Sequence, residues 1–192
     1  MKKGCLYSFI ALLILSFGCN KALIKSKREI DTITDSLNTS WDAMIISDDQ
    51  KIEDIKTLVE EISKAKIPDN GELRELQKLS KKIRSRRFNE HTMEDSGKID
   101  AYDMATDSLI MHTFTLLKNN PGIDTLPKTL HLKDQVMDAD NNVIIYRIHY
   151  DNWARQFNEY LDEHQGKLRK MKKPYSGYTK RALFELKTGV RN

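Results

Sequence analysis

Apolar residues recur along most of this chain at alternating steps of three and four, the spacing that lays one stripe along an α-helix. Ile30, Ile33, Leu37, Trp41 and Met44 begin the first row. Ile52, Ile55, Val59 and Ile62 resume it after a polar Asp48-Asp49. One helix over about 29–66 is expected, with the acidic pair on its outer face or at a local irregularity. Pro68 and Gly71 in "KIPDNG" end that pattern, and Asp69 or Asn70 is placed to cap a second helix. Its apolar side is Leu73, Leu76, Leu79 and Ile83. A third helix over about 98–118 carries two interleaved rows, Tyr102, Ala105, Leu109 and Ile110, Phe114, Leu117, until "NNPG" stops it.

The strongest periodicity follows Pro127. Leu132, Val136, Ala139, Val143, Tyr146, Tyr150, Trp153, Phe157 and Tyr160 alternate in steps of four and three. A 3.5-residue period means bundle or coiled-coil packing against partner helices, so a fourth helix over about 128–164 is expected. Asp151, Arg155 and Glu159 read as an i, i+4 ladder on its outer side. The aromatic residues on the stripe read as core rather than as a cofactor box, since each buries so much surface. The expected fold is all-α: an antiparallel bundle of about four helices, with a long N-terminal and a long C-terminal helix. The last stretch, 166–192, has no sustained stripe and reads as irregular or mobile.

The N-terminus follows different rules. Lys2 and Lys3 precede twelve residues, Leu6 to Phe17, in which only Ser8 and Ser16 are polar. A membrane-spanning helix needs about 20 such residues, so this run suits the apolar region of a secretory signal. It ends in Leu15-Ser16-Phe17-Gly18-Cys19, which resembles a bacterial lipoprotein signal cut before a lipid-bearing cysteine. A thiolate at Cys19 takes a diacylglycerol on sulfur, and cleavage frees an amine for a further chain. One acyl chain, palmitate or its like, binds a bilayer only marginally, whereas two or three anchor firmly. The competing reading is an uncleaved N-terminal anchor. Lys21, Lys25, Lys27 and Arg28 outnumber Lys2 and Lys3, and such an anchor would keep the body in the cytoplasm. Asn20 is not acidic, which by the lipoprotein sorting rule favours the outer membrane. The segments expected are therefore a signal peptide 1–18, a tether 19–28, the bundle 29–164 and a tail 165–192.

Composition adds two constraints. Gly (8) and Pro (4) are scarce in 192 residues and charged residues make up 31%, as suits long helices. Both cysteines, Cys5 and Cys19, fall in the first twenty residues, so no disulfide or cysteine-based metal site serves the body. The net charge of +4 conceals an acidic body and a basic tail. Residues 165–192 hold nine Lys/Arg against Glu185 alone. Together with Tyr175, Tyr178 and Phe184, that tail is a candidate for anionic headgroups or envelope polymers, or else a solubilising extension. "KKIRSRR" (81–87) reads as a solvated basic face, with no nucleic acid expected for an exported protein.

Two stretches resemble the LemA family. The first is Trp41 followed by Ile55, Leu58 and Val59. The second runs Leu130-x-Leu132-x-Asp134-x-Val136, Asp140-Asn141-x-Val143, Arg147, Tyr150-Asp151, Ala154 and Phe157-Asn158. "LLKNNPGI" (116–123) is similar to the family's Leu-rich helix ending in a proline turn. The likeness covers about 34–161. It departs where the family's proline after the first Ile is Lys56, where its arginine pair is Gln50-Lys51, and where its first Tyr-Asn is Tyr150-Asp151. The resemblance implies a membrane-attached helical bundle and brings no catalytic residues.

No Glu-x-x-His, H-x₃-H, G-x-S-x-G, Walker loop or G-x-G-x-x-G occurs. His91, His112, His131, His149 and His164 are scattered. Asn38-Thr39-Ser40 fits a glycosylation sequon by chance composition. Asp134, Asp138 and Asp140 are the only acid cluster offered to an enzymatic reading, and they read as helix-surface acids. The expectation is a non-catalytic, lipid-tethered, periplasm-facing binding or scaffold module with no cofactor or metal. Its partner would be an envelope protein or an anionic surface. An accessory subunit of an envelope enzyme is the alternative.

Overall fold

In a computed structural model, the chain is all-α, with no strand among the described residues. The structure describes the backbone of residues 3–65 and 71–184 and the side chains of 24–65 and 71–184. The signal peptide 1–18, Cys19, the caps Asp69 and Asn70, and the end of the tail after Phe184 fall outside the described side chains. The helices are α1 (Lys3–Lys64), α2 (Gly71–Lys82), α3 (Ser96–Lys118), the single turn α4 (Pro121–Asp124) and α5 (Pro127–Leu168). Helix α1 starts well before residue 29, so 24–28 are already helical and Ser26 is buried. Two compact units form, each using part of α1 and part of α5.

The first unit comprises the N-terminal part of α1 to Thr39 and residues Asn152–Arg181. Ile30 and Leu37 from α1 and Ala154, Phe157, Leu161 and Leu168 from α5 form its core. After α5 the chain turns back along that helix as an extended strap. Arg181 N–H donates to Asn158 Oδ1 at 2.7 Å, while Asn158 Nδ2 donates to Arg181 O at 2.9 Å. One amide side chain has a donor and an acceptor and so satisfies both backbone groups of one strap residue. Tyr178 sets its ring edge-on to Phe157 at 5.4 Å, and Tyr175 sets its ring against Tyr178 at 5.8 Å. Tyr160 Oη donates to Ser26 O at 2.8 Å. The tail's first stretch, 169–181, is therefore irregular, as its lack of period implied, but it is packed. The rings of Tyr175 and Tyr178 pack against protein and are half-buried. Lys167, Arg169, Lys170, Lys172 and Lys173 do remain exposed.

The second unit comprises Ser40–Asp151 together with the strap from Ala182 on. Lys51 meets Asp140 and Lys128 meets Glu61, so α5 runs antiparallel to this part of α1. Asp103 meets Arg147, and Lys133 lies over the Phe114 ring, so α5 is also antiparallel to α3. Its apolar core includes Ile55, Leu58, Val59, Ile62, Leu76, Ile83, Leu109, Leu117 and Val136. On α3 the buried row is Tyr102, Thr106, Leu109, Thr113 and Leu116. Thr106 and Thr113 hide their hydroxyls by donating to the carbonyls of Tyr102 and Leu109, at 3.0 and 2.7 Å. Phe114 and Ile110, expected in a second core row, are only half-buried.

Candidate functional site

The candidates read from sequence do not converge. Cys19 lies outside the described side chains. Asp134 and Asp138 are exposed on α5, and only Asp140 turns inward, accepting from Lys51 Nζ at 3.3 Å. His112 lies 3.3 Å from Glu72, and His164 stacks on Tyr160 at 4.2 Å, while His91, His131 and His149 are exposed. Among the described residues, no group of three or more His, Cys, Asp or Glu could hold a metal ion.

What converges instead is a charged interior in the second unit. Helix α1 passes through Asp48-Asp49 without irregularity, and Asp48 points inward, at 9% exposure. This corrects the outer-face expectation. Residues 37, 41, 44, 48, 51 and 55 share one helical face, so the stripe keeps its phase there and only changes chemistry. Asp48 accepts a short hydrogen bond from Tyr102 Oη. Arg87 Nη1 donates to Asp49 Oδ1 at 2.6 Å and to Asp48 Oδ2 at 3.4 Å. Lys51, at 4% exposure, lies 3.7 Å from Asp48 as well as 3.3 Å from Asp140. Burial and the adjacent Asp48 carboxylate push the Tyr102 phenol far above its ordinary value, so it stays a donor. The basic run 81–87 is thus split. Arg84 and Arg87 bind α1 acids, and Lys81, Lys82 and Arg86 are exposed.

Arg147 of α5 is the second pole. Its two terminal nitrogens reach the two oxygens of Asp103, each at 2.7 Å, a bidentate fork. Its guanidinium also lies 4.8 Å from the Phe184 ring centre and 5.9 Å from that of Phe88. Phe184 meets Phe88 and Tyr150 edge-on at 5.7 Å each, and Trp41 closes on Tyr150 at 5.3 Å. The strap is fixed by its backbone too: Phe184 N–H donates to Asp151 Oδ1 at 2.9 Å. Asp151 is 2% exposed, so it does not belong to an outer ladder with Arg155 and Glu159, both of which are exposed. It sits beside Tyr150 and one turn after Arg147, on the face the strap covers. The ring of Phe184, like those of Tyr175 and Tyr178, packs against other rings of its own unit.

Beside this interior runs a groove of about 270 Å³. Its floor is Asp48 and Lys51, and its walls are Asp103 and Asp107 of α3 and Asp140 and Ile144 of α5. Three of these four acids are tied: Asp48 to Tyr102, Lys51 and Arg87, Asp103 to Arg147, and Asp140 to Lys51. Asp107 makes no hydrogen bond or ion pair among the described residues. Partial desolvation, followed by the neighbouring Asp140 and Asp103 charges, raises its carboxyl above the ordinary carboxylate range. The arrangement, with four acids against Lys51 and Arg147, can attract a cation.

Phase could have revealed Asp48, Lys51 and Arg147, since each falls on an apolar stripe of its helix. The role of Phe184 had no periodic signal. Of the residues carrying the LemA-like pattern, Arg147, Tyr150, Asp151, Phe157 and Asn158 all hold the strap or its aromatic bed. No protein-family model, curated protein or solved structure matches the chain.

Proposed function

We propose that this chain is a lipid-tethered, LemA-like binding or scaffold module of the cell envelope, without a reaction of its own. The observation that carries the reading is the contrast within the second unit. Its interior charges are tied to partners at close range, while large apolar side chains stand in solvent on α3 and α5. Buried pairs of that kind fix geometry and make poor acid–base machinery. Exposed apolar rows of that kind mark interaction surfaces. The tether rests on the stretch ending in Gly18-Cys19, and the periplasmic side and outer membrane rest on the signal and on Asn20. No described helix is long and apolar enough to cross a membrane. Labelled palmitate fed to cells should enter the wild-type chain and be lost in Cys19→Ala. Equal labelling of the two forms overturns the tether and favours the uncleaved N-terminal anchor.

A second reading is favoured by one residue. Asp107, uncommitted and shifted upward in an acid-lined groove, has the character of a general acid. An accessory role beside an envelope enzyme would use it. A process lost in Asp107→Asn while binding is retained would move the assignment to that class.

A further inference from the structure

We propose that the groove between α3 and α5 of the second unit, with its apolar rims, is the docking surface for a basic amphipathic helix of another protein. This gives the binding reading its partner class and rests on it, though not on the lipid.

The rims come first. On α5, Leu130, Met137, Ile144 and Ile148 recur at seven, seven and four, and each is 45% exposed or more. Those spacings keep all four within a narrow arc of the helix. On α3, Met104 and Met111 are seven apart, at 72% and 59% exposure. The antiparallel pairing set by Asp103–Arg147 brings Met104 level with Ile144 and Ile148, and Met111 level with Met137. Ile144 lines the groove itself, and the two exposed apolar rows run level with each other on the two helices that wall it, the seat that a third helix with an apolar stripe fills. Half of these rim residues are Met, whose flexible thioethers mould to a partner.

Charge then selects the occupant. The groove presents Asp48, Asp103, Asp107 and Asp140 against Lys51 and Arg147, and Asp107 is the one of these acids with no close ion pair among the described residues, Lys51 and Arg147 acting on it only at longer range. A Lys or Arg from the occupant completes that pair. The same excess argues against two other occupants. A second copy presenting this same face would set Asp107 against acids, and an anionic bilayer would be repelled.

The test is photocrosslinking in cells producing the full chain. Benzoylphenylalanine is placed at Met104, Met111 or Ile144, and at Glu75 and Arg169 as positions off the face. The expected result is one common adduct from the three rim positions. Its linked peptide should carry apolar residues at three and four spacing among Lys/Arg. Yield should fall about tenfold or more in Asp107→Lys and several-fold in Asp107→Asn. An unchanged helical circular dichroism spectrum in Asp107→Asn, with melting no lower than in the unsubstituted chain, separates loss of docking from loss of fold. Four results overturn the proposal: an adduct to a second copy, to lipid, to residues 185–192 of the same chain, or no rim adduct. Adducts at Glu75 or Arg169 alone would overturn this surface and leave a binding module standing. No adduct at any position would sink both.

Discussion

In the unit of residues 24–39 and 152–181, an apolar core is closed by a strap whose tyrosines lie along α5 and whose Arg181 backbone pairs with Asn158 of that helix. In the unit of residues 40–151 and 182–184, the same two helices enclose aspartates, a lysine and arginines, and the strap contributes one phenylalanine. The first closure draws on area removed from water, which is forgiving of direction. The second depends on each charge meeting a partner at short range, because an unpaired buried charge is costly. Rigid geometry beside a cation-seeking groove comes from the second kind, and the surface proposed for docking belongs to that unit.

The largest way to break the contrast is Phe157→Ala. Phe157 is fully buried under Tyr178, and its loss should cost about 3–5 kcal/mol in denaturant unfolding. Amide exchange should speed most in 152–168 and least in 100–118; uniform acceleration would show that the two closures are one. Next comes Arg147→Ala, expected to cost about 2–4 kcal/mol, with the lower half favoured because Asp103 keeps a third of its side-chain surface in water. Arg147→Lys should recover only part of that, since a point charge cannot fork across two oxygens or lie flat on Phe184. Full recovery would mean that charge alone matters there.

Asn158→Ala is a smaller probe. It strips two hydrogen bonds from a half-buried strap residue and should cost about 1–2 kcal/mol. Proteolysis should then cut nearer 175–181. The smallest effect has the opposite sign. Asp107 is raised in the folded chain, so its ionised form opposes folding at neutral pH. Asp107→Asn should raise the melting temperature by at most about 2 °C at pH 7, given its exposure. The gain should shrink as pH falls through the raised folded value and vanish below the ordinary carboxylate range. A gain that grows in acid would refute the assignment.

Much of the fold was legible because helices announce themselves by period. The stripe from Leu132 to Tyr160 marked the core side of α5, and Pro68, "NNPG" and Pro127 marked the breaks. What stayed hidden has common physical causes. Charged residues at three and four spacing look alike whether water or a partner lies above them, so the pattern places Asp151 outside and Asp48 either outside or at a local irregularity. Matching one stripe on α5 also masked a second, Leu130 to Ile148, that runs beside it in solvent. A strap without period, held by Asn158, Asp151 and aromatic edges, leaves no repeat to find. Groove acids such as Asp107 arise from three separate helices, and no local spacing joins them.

The chain makes Phe184 after every residue it touches: Phe88, Arg147, Tyr150 and Asp151 all precede it. Synthesis and closure therefore run in the same direction, and the keystone arrives last. Until it does, Asp151 cannot receive the Phe184 N–H and one face of the Arg147 plane lies bare, so the second unit closes only once residue 184 has been made.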